Sequence, residues 1–148
     1  MARPKFDPKT HALWSRCDIG EKVFISDTSR VHGKMENVHI ADGAFISDYT
    51  VLMAEAPLFI GPNVKIGFSC HVLAYAPLRI HGQVRVQPGA QVLSGMIGLR
   101  GWFTGPVDVG TGAVIGNGAV ILPDTFVPMQ CYVNPNEVFS YARPADQV

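Results

Sequence analysis

Charge is scarce in this chain, and neither sign prevails. Charged residues make up 16% of the 148 positions, with 12 Lys+Arg against 12 Asp+Glu. No basic excess is available to neutralise phosphates, so neither a nucleic acid nor an anionic membrane is expected as a partner. Lysine is absent altogether beyond Lys65. Long hydrophobic runs are missing too. No segment approaches the roughly 18 apolar residues of a membrane span, and the opening MARPKFDPK has no signal-peptide core. A cytoplasmic location is the expectation. Cysteine is limited to Cys17, Cys70 and Cys131, far apart and without a CxxC or Cys/His cluster. That pattern supplies no zinc-ligand spacing and reads as reduced structural thiols.

What is abundant is equally informative. Val and Ile together number 27, beside 15 Gly and 11 Pro, while helix formers are few. β-branched residues and turn formers in that proportion predict an all-β chain with frequent corners. At 16.0 kDa it has the length of one domain over 1–148.

The strings APLFIG and APLRIHG lie 20 residues apart, which calls for a search for repeats. Written in sixes, the chain reads IGEKVF, ISDTSR, VHGKME over 19–36 and IADGAF, ISDYTV, LMAEAP over 40–57. It continues IGPNVK, IGFSCH, VLAYAP over 60–77 and IHGQVR, VQPGAQ, VLSGMI over 80–97. After an eleven-residue interruption at 98–108 come VGTGAV, IGNGAV, ILPDTF over 109–126. Position one is Ile, Val or Leu in all fifteen blocks, and position five is small or β-branched in thirteen, Met35 and Met96 excepted. Such a unit is a short strand plus a corner, with the branched side chain inward and the small one in the narrow angle beside it. Three units close a triangular coil, and coils stack at the strand spacing of about 4.8 Å. The expectation is five coils over 19–126, with Ile46, Ile66, Val86 and Ile115 in one inward column. Residues 1–18 would cap the first coil, with Asp7 as N-cap, Pro8 after it, and Leu13 and Trp14 as the cover. Residues 127–148 would return as an irregular arm, and the insertion 98–108 would project as a loop.

The segments IGFSCHVLAYAPLRI, PVDVGTGAVIGNGAVILPD and VPMQCYVNPNEV resemble the hexapeptide-repeat acyltransferases, most nearly the maltose and galactoside O-acetyltransferase branch. The resemblance spans about residues 38–138. It implies a left-handed parallel β-helix, assembled as a homotrimer with a site between neighbouring subunits. It also implies acetyl-CoA as co-substrate, a sugar or other small hydroxyl- or amine-bearing acceptor, and a histidine as general base. No metal is implied. The pantetheine arm would lie along backbone near Ala113, Gly118 and Ala119. Three positions depart from the family pattern. Met96 stands where the family has its histidine, Ser69 where it often has asparagine, and Pro123 where a lysine commonly approaches the CoA phosphates.

A base must then come from elsewhere, because a thioether cannot accept a proton. Five histidines exist, each at a position the repeat exposes, so a solvated surface side chain is the plain reading of any one. His71 is the first candidate, with Ser69 expected on the same face two residues earlier to position the acceptor. His81 is the second. In the insertion GLRGWFTGPVD, Arg100 and Trp102 could touch a substrate, or Trp102 and Phe103 could pack on a neighbouring subunit. Two other functions stay open. One is a catalytically inactive trimeric module for binding or assembly. The other, weaker, is a γ-carbonic-anhydrase-like zinc protein, disfavoured because the histidines do not stack at the 20-residue repeat.

Overall fold

One branched residue in every six builds three faces. A computed structural model describes residues 6–142; residues 1–5 of the expected cap and 143–148 of the expected arm lie outside it. The first face pairs Asp18–Ile19, Val38–Ile40, Leu58–Ile60, Leu78–Ile80, Val107–Val109 and Thr125–Val127, all parallel. The second stacks Phe24–Ile25, Phe45–Ile46, Lys65–Ile66, Arg85–Val86, Val114–Ile115 and Tyr132–Val133. The third stacks Arg30–Gly33, Val51–Ala54, His71–Ala74, Gln91–Leu93, Val120–Ile121 and Val138–Phe139. The result is a left-handed parallel β-helix. It has six coils rather than five, because segment 127–139 continues the winding where an irregular arm was expected.

The inward column falls in the predicted register. Ile46 pairs with Ile66, Ile66 with Val86 and Val86 with Ile115. Ile46, Ile66 and Ile115 have no exposed surface. Full burial of each such side chain is worth about 1.5–3 kcal/mol against leaving it in water.

Corners have a fixed chemistry as well. Lys22, Tyr49, Asn63, Ser69, Gln83, Asp124, Gln130 and Asn136 all take φ between 56° and 62°. Each is the fourth residue of its block, as is Gly118 at 69°. A side chain there costs on the order of 1 kcal/mol, and the repeat imposes the conformation regardless. At the corner between the second and third faces, a buried polar ladder satisfies the turn. Ser29 Oγ donates to the Ser47 carbonyl at 2.6 Å, Thr50 Oγ1 to Gly67 at 2.8 Å and Cys70 Sγ to Gln87 at 3.2 Å. Each donor reaches one coil up, so the buried hydroxyls and thiol are paired with a carbonyl of the neighbouring coil.

The third corner takes small inward residues. Ala54 and Ala74 turn inward there with no exposed surface, and Ser94 takes the same place in the next coil. Ser94 Oγ accepts from the Tyr75 and Ala76 amides at 2.9 and 3.0 Å and donates to the Ala76 carbonyl at 2.7 Å. The insertion leaves from this tied-down serine. It is a hairpin, Gly95–Gly98 against Gly101–Thr104, antiparallel among otherwise parallel pairings. At the N-terminal end Trp14 is buried as expected, whereas Leu13 is 41% exposed. Asp7 Oδ1 accepts from the Lys9 amide, and His11 Nδ1 accepts from those of Leu13 and Trp14, forming turns and a 3₁₀ segment, Trp14–Arg16. Among the described residues no helix is long and apolar enough to cross a membrane.

Candidate functional site

The outward row of the first face holds the densest chemistry. Parallel pairing stacks Asp18, His39, Phe59, Arg79, Asp108 and Phe126 in that order. His39 Nδ1 lies 3.1 Å from Asp18 Oδ2, and its ring stacks on Phe59 at 4.8 Å and 12°. The Arg79 guanidinium lies over the other part of the row, 5.1 Å from the Phe59 centroid. A cation on an aromatic face is worth roughly 0.5–1 kcal/mol at an exposed site. A groove of about 700 Å³ runs over this row, lined by Asp18, His39, Phe59, Arg79 and His81 among others. A second hollow of about 670 Å³ shares Arg79 and His81 and adds Asp108, Phe126 and Met129.

His81 stands where the two hollows meet. Its Nε2 lies 3.4 Å from Asp108 Oδ1; the imidazole is about half exposed and the carboxylate 18% exposed. A carboxylate on one ring nitrogen sets the tautomer and leaves the other, Nδ1, as the basic atom. Such a pair can serve as the His–carboxylate half of a general base, and 3.4 Å is in the loose range such bonds show before a substrate tightens them. Asp108 escaped the sequence reading because the insertion puts it 27 residues from His81. The signal was nevertheless present: taking the residue just before each first-face block stacks Arg79 on Asp108.

His71 is placed differently. It opens the third-face strand His71–Ala74, exposed, between Val51 and Gln91. Among the described residues no carboxylate adjoins it in the register. Ser69, expected on the same face, lies outside that strand. Strand alternation does not reach back to it, because Ser69 is a left-handed corner residue with φ 57°. His71 and His81 leave the solenoid from different faces and are not brought together within one chain.

Ala113 and Ala119 are fully buried, and Gly118 is a corner. Their amides are already committed: Ala113 to Gly110 at 3.1 Å, Gly118 to Pro88 at 3.1 Å and Ala119 to Gly116 at 3.0 Å. The Ala113 and Ala119 carbonyls accept from Arg85 and Gln91. A ligand there would meet only the remaining carbonyl lone pairs. Arg100 and Trp102 are exposed on the hairpin; Trp102 meets Tyr75 edge-on at 4.6 Å, and Met96 pairs across to Phe103.

Burial pushes the Cys17 and Cys70 thiols up to about 11, and raises Cys131 with help from the Glu137 carboxylate. A thiol so shifted carries almost no thiolate at neutral pH, so none is an activated nucleophile. Among the described residues no three His, Cys, Asp or Glu side chains converge in a metal-binding group.

No protein-family model matches the chain, and no curated protein matches it by sequence. Solved structures do match. A mutant of AntD, an N-acyltransferase from Bacillus cereus, in complex with dTDP and coenzyme A, superposes with a TM-score of 0.75. The identity is 15%, over 83% of this chain and 75% of that one. AntD with dTDP and 3-hydroxybutyryl-CoA gives 0.74 at 14% identity, over 84% and 73% of the chains. A further mutant, with dTDP-4-amino-4,6-dideoxyglucose and coenzyme A, gives 0.65 at 15%, over 85% and 78%. At such identities the likeness is one of fold.

Proposed function

We propose that this chain is an acyltransferase, moving an acyl group from a CoA thioester to the hydroxyl or amine of a small acceptor such as a sugar. The observation that carries the reading is the His81–Asp108 pair at the junction of two hollows on the first face. In the reaction, Nδ1 of His81 takes the proton from the acceptor as its oxygen or nitrogen attacks the thioester carbonyl. The tetrahedral intermediate then collapses, the carbon–sulfur bond breaks and CoA leaves as thiolate. The proton on His81 can pass to that sulfur, restoring the base. Asp108 stabilises the imidazolium formed between these steps. The shared fold with an N-acyltransferase that binds coenzyme A and a sugar nucleotide supports the reaction class and the acceptor class. The motifs quoted above support acetyl as the group carried and a place near the O-acetyltransferase branch.

A homotrimer belongs to this proposal. The hairpin exposes Ile97, Leu99, Trp102 and Phe103, an apolar cluster that a second copy would cover. Arg100 and Trp102 are then the hairpin's contribution to the acceptor side of a site shared between copies. The same surface favours the non-catalytic assembly module as a second reading.

The test is thiol release from acetyl-CoA with a panel of amino-sugar and sugar acceptors. His81→Ala is expected to lower turnover roughly 10²–10⁴-fold with little change in CoA affinity. Asp108→Asn should lower it as well, and His71→Ala should not. Full turnover in His81→Ala removes the mechanism. A wild type that neither turns over nor binds acetyl-CoA leaves the assembly module.

A further inference from the structure

The second face carries a one-signed notch that the proposed reaction does not use. Parallel pairing stacks Lys65 directly on Arg85, at a spacing of about 4.8 Å. Like charges placed directly opposite are the unfavourable cross-strand arrangement. Ion pairs among the described residues lie elsewhere, at Lys9–Glu21, His39–Asp18 and His81–Asp108. The hollow beside the two cations, about 300 Å³, is lined by Phe45, Ser47, Phe68, Gln87 and Pro88 as well, and by no carboxylate. In a chain with equal numbers of acidic and basic residues, such segregation is a local choice.

The notch has a shape as well as a sign. Ser47, Gly67 and Gln87 are the second residues of successive blocks, so a glycine stands between a hydroxyl and a carboxamide. A Cβ on Gly67 would approach Pro88 Cδ to 2.8 Å, so Pro88 of the next coil packs directly on this glycine and walls the notch. The Ser47 hydroxyl and the Gln87 amide form no side-chain hydrogen bond among the described residues and remain able to donate. Phe68 is 55% exposed and engages no other ring among the described residues.

We propose that this notch binds a phosphate monoester carried on a flat apolar ring. Lys65 and Arg85 hold the anion, with Ser47 and Gln87 as neutral donors, and the ring lies against Phe68. Binding relieves the cation–cation contact, and charge-assisted hydrogen bonds to phosphate are the strong kind, Arg offering two in parallel. The site is independent of the acyl-transfer reading.

The experiment is calorimetric titration of the full chain at low salt with phenyl phosphate, inorganic phosphate and phenol. One phenyl phosphate is expected per chain, bound more tightly than either fragment and weakening as sodium chloride is raised. Arg85→Gln and Lys65→Gln should each weaken it roughly tenfold. Phe68→Ala should bring phenyl phosphate down to the level of inorganic phosphate. All three side chains are exposed, so the variants should melt like the wild type. No phenyl phosphate binding, or binding untouched by both charge substitutions, overturns the proposal.

Discussion

The first and second faces are built from the same repeat and stack in the same parallel register, yet their outward rows have little in common. The first reads Asp18, His39, Phe59, Arg79, Asp108, Phe126, with alternating charges and rings in contact. The second reads Phe24, Phe45, Lys65, Arg85, Val114, Tyr132, with a stacked aromatic pair and then two like charges. Because neighbours along a row are one strand apart, each row is a linear array in which side chains either satisfy or frustrate the next. The first face is largely satisfied within itself. The second is not, and its frustrated stretch is where a ligand has something to gain. Inward positions answer to the fold and outward ones are free to answer to chemistry.

The largest expected effect breaks the inner half of that comparison. Ile66→Asp places an unpaired charge in a dry column and should cost several kcal/mol, lowering the melting temperature by roughly 10 °C or more. Lys65→Asp, one residue earlier and outward, should leave melting unchanged or raise it, because it replaces a like-charge contact with an opposite one. Equal melting of the two variants would mean that the inward and outward assignment is wrong.

Next in size is an alkaline effect at the corner between the second and third faces. Burial raises the Cys70 thiol from 9.0 to about 11, so the folded state holds its proton more tightly than the unfolded chain. The stability this contributes is present below pH 9 and is lost as pH rises from there through about 11, by on the order of 2 kcal/mol. Urea melts at pH 8 and 10.5 check it. Cys70→Ala should flatten the dependence; an unchanged slope would assign it to other groups.

The smallest effect concerns the stacked rings of the second face. Phe24 and Phe45 lie 4.6 Å apart at 17°, both near half exposed. Phe45→Ala should cost about 1 kcal/mol in the isolated chain. A larger loss that depends on protein concentration would show that this row is covered by a second copy.

The inner columns were legible because the six-residue period returns one position of every block to the interior, and Ile, Val or Leu fills that position in all fifteen blocks. The second-face corner donors Ser29, Thr50 and Cys70 were legible only as small residues; that they donate one coil up follows from stacking. The left-handed Tyr49, Ser69 and Gln83 gave no local signal, since their types do not favour that conformation and the repeat overrules them. The sixth coil was hidden by proline: Pro128 and Pro135 suggested an arm, yet both lie in corners outside the strands, where proline withdraws no ladder donor.

The sequence by itself therefore determined the β-helix, its register and its core, since periodic side chains are interchangeable within the repeat and need no distant partner to be read. The tertiary structure decided which outward groups meet. Asp108 reaches His81 across the insertion, Lys65 is set on Arg85, and Ser69 sits at a corner outside the strand that carries His71. Such contacts depend on the count of residues between coils and on the angle of each corner, quantities that no single six-residue block contains.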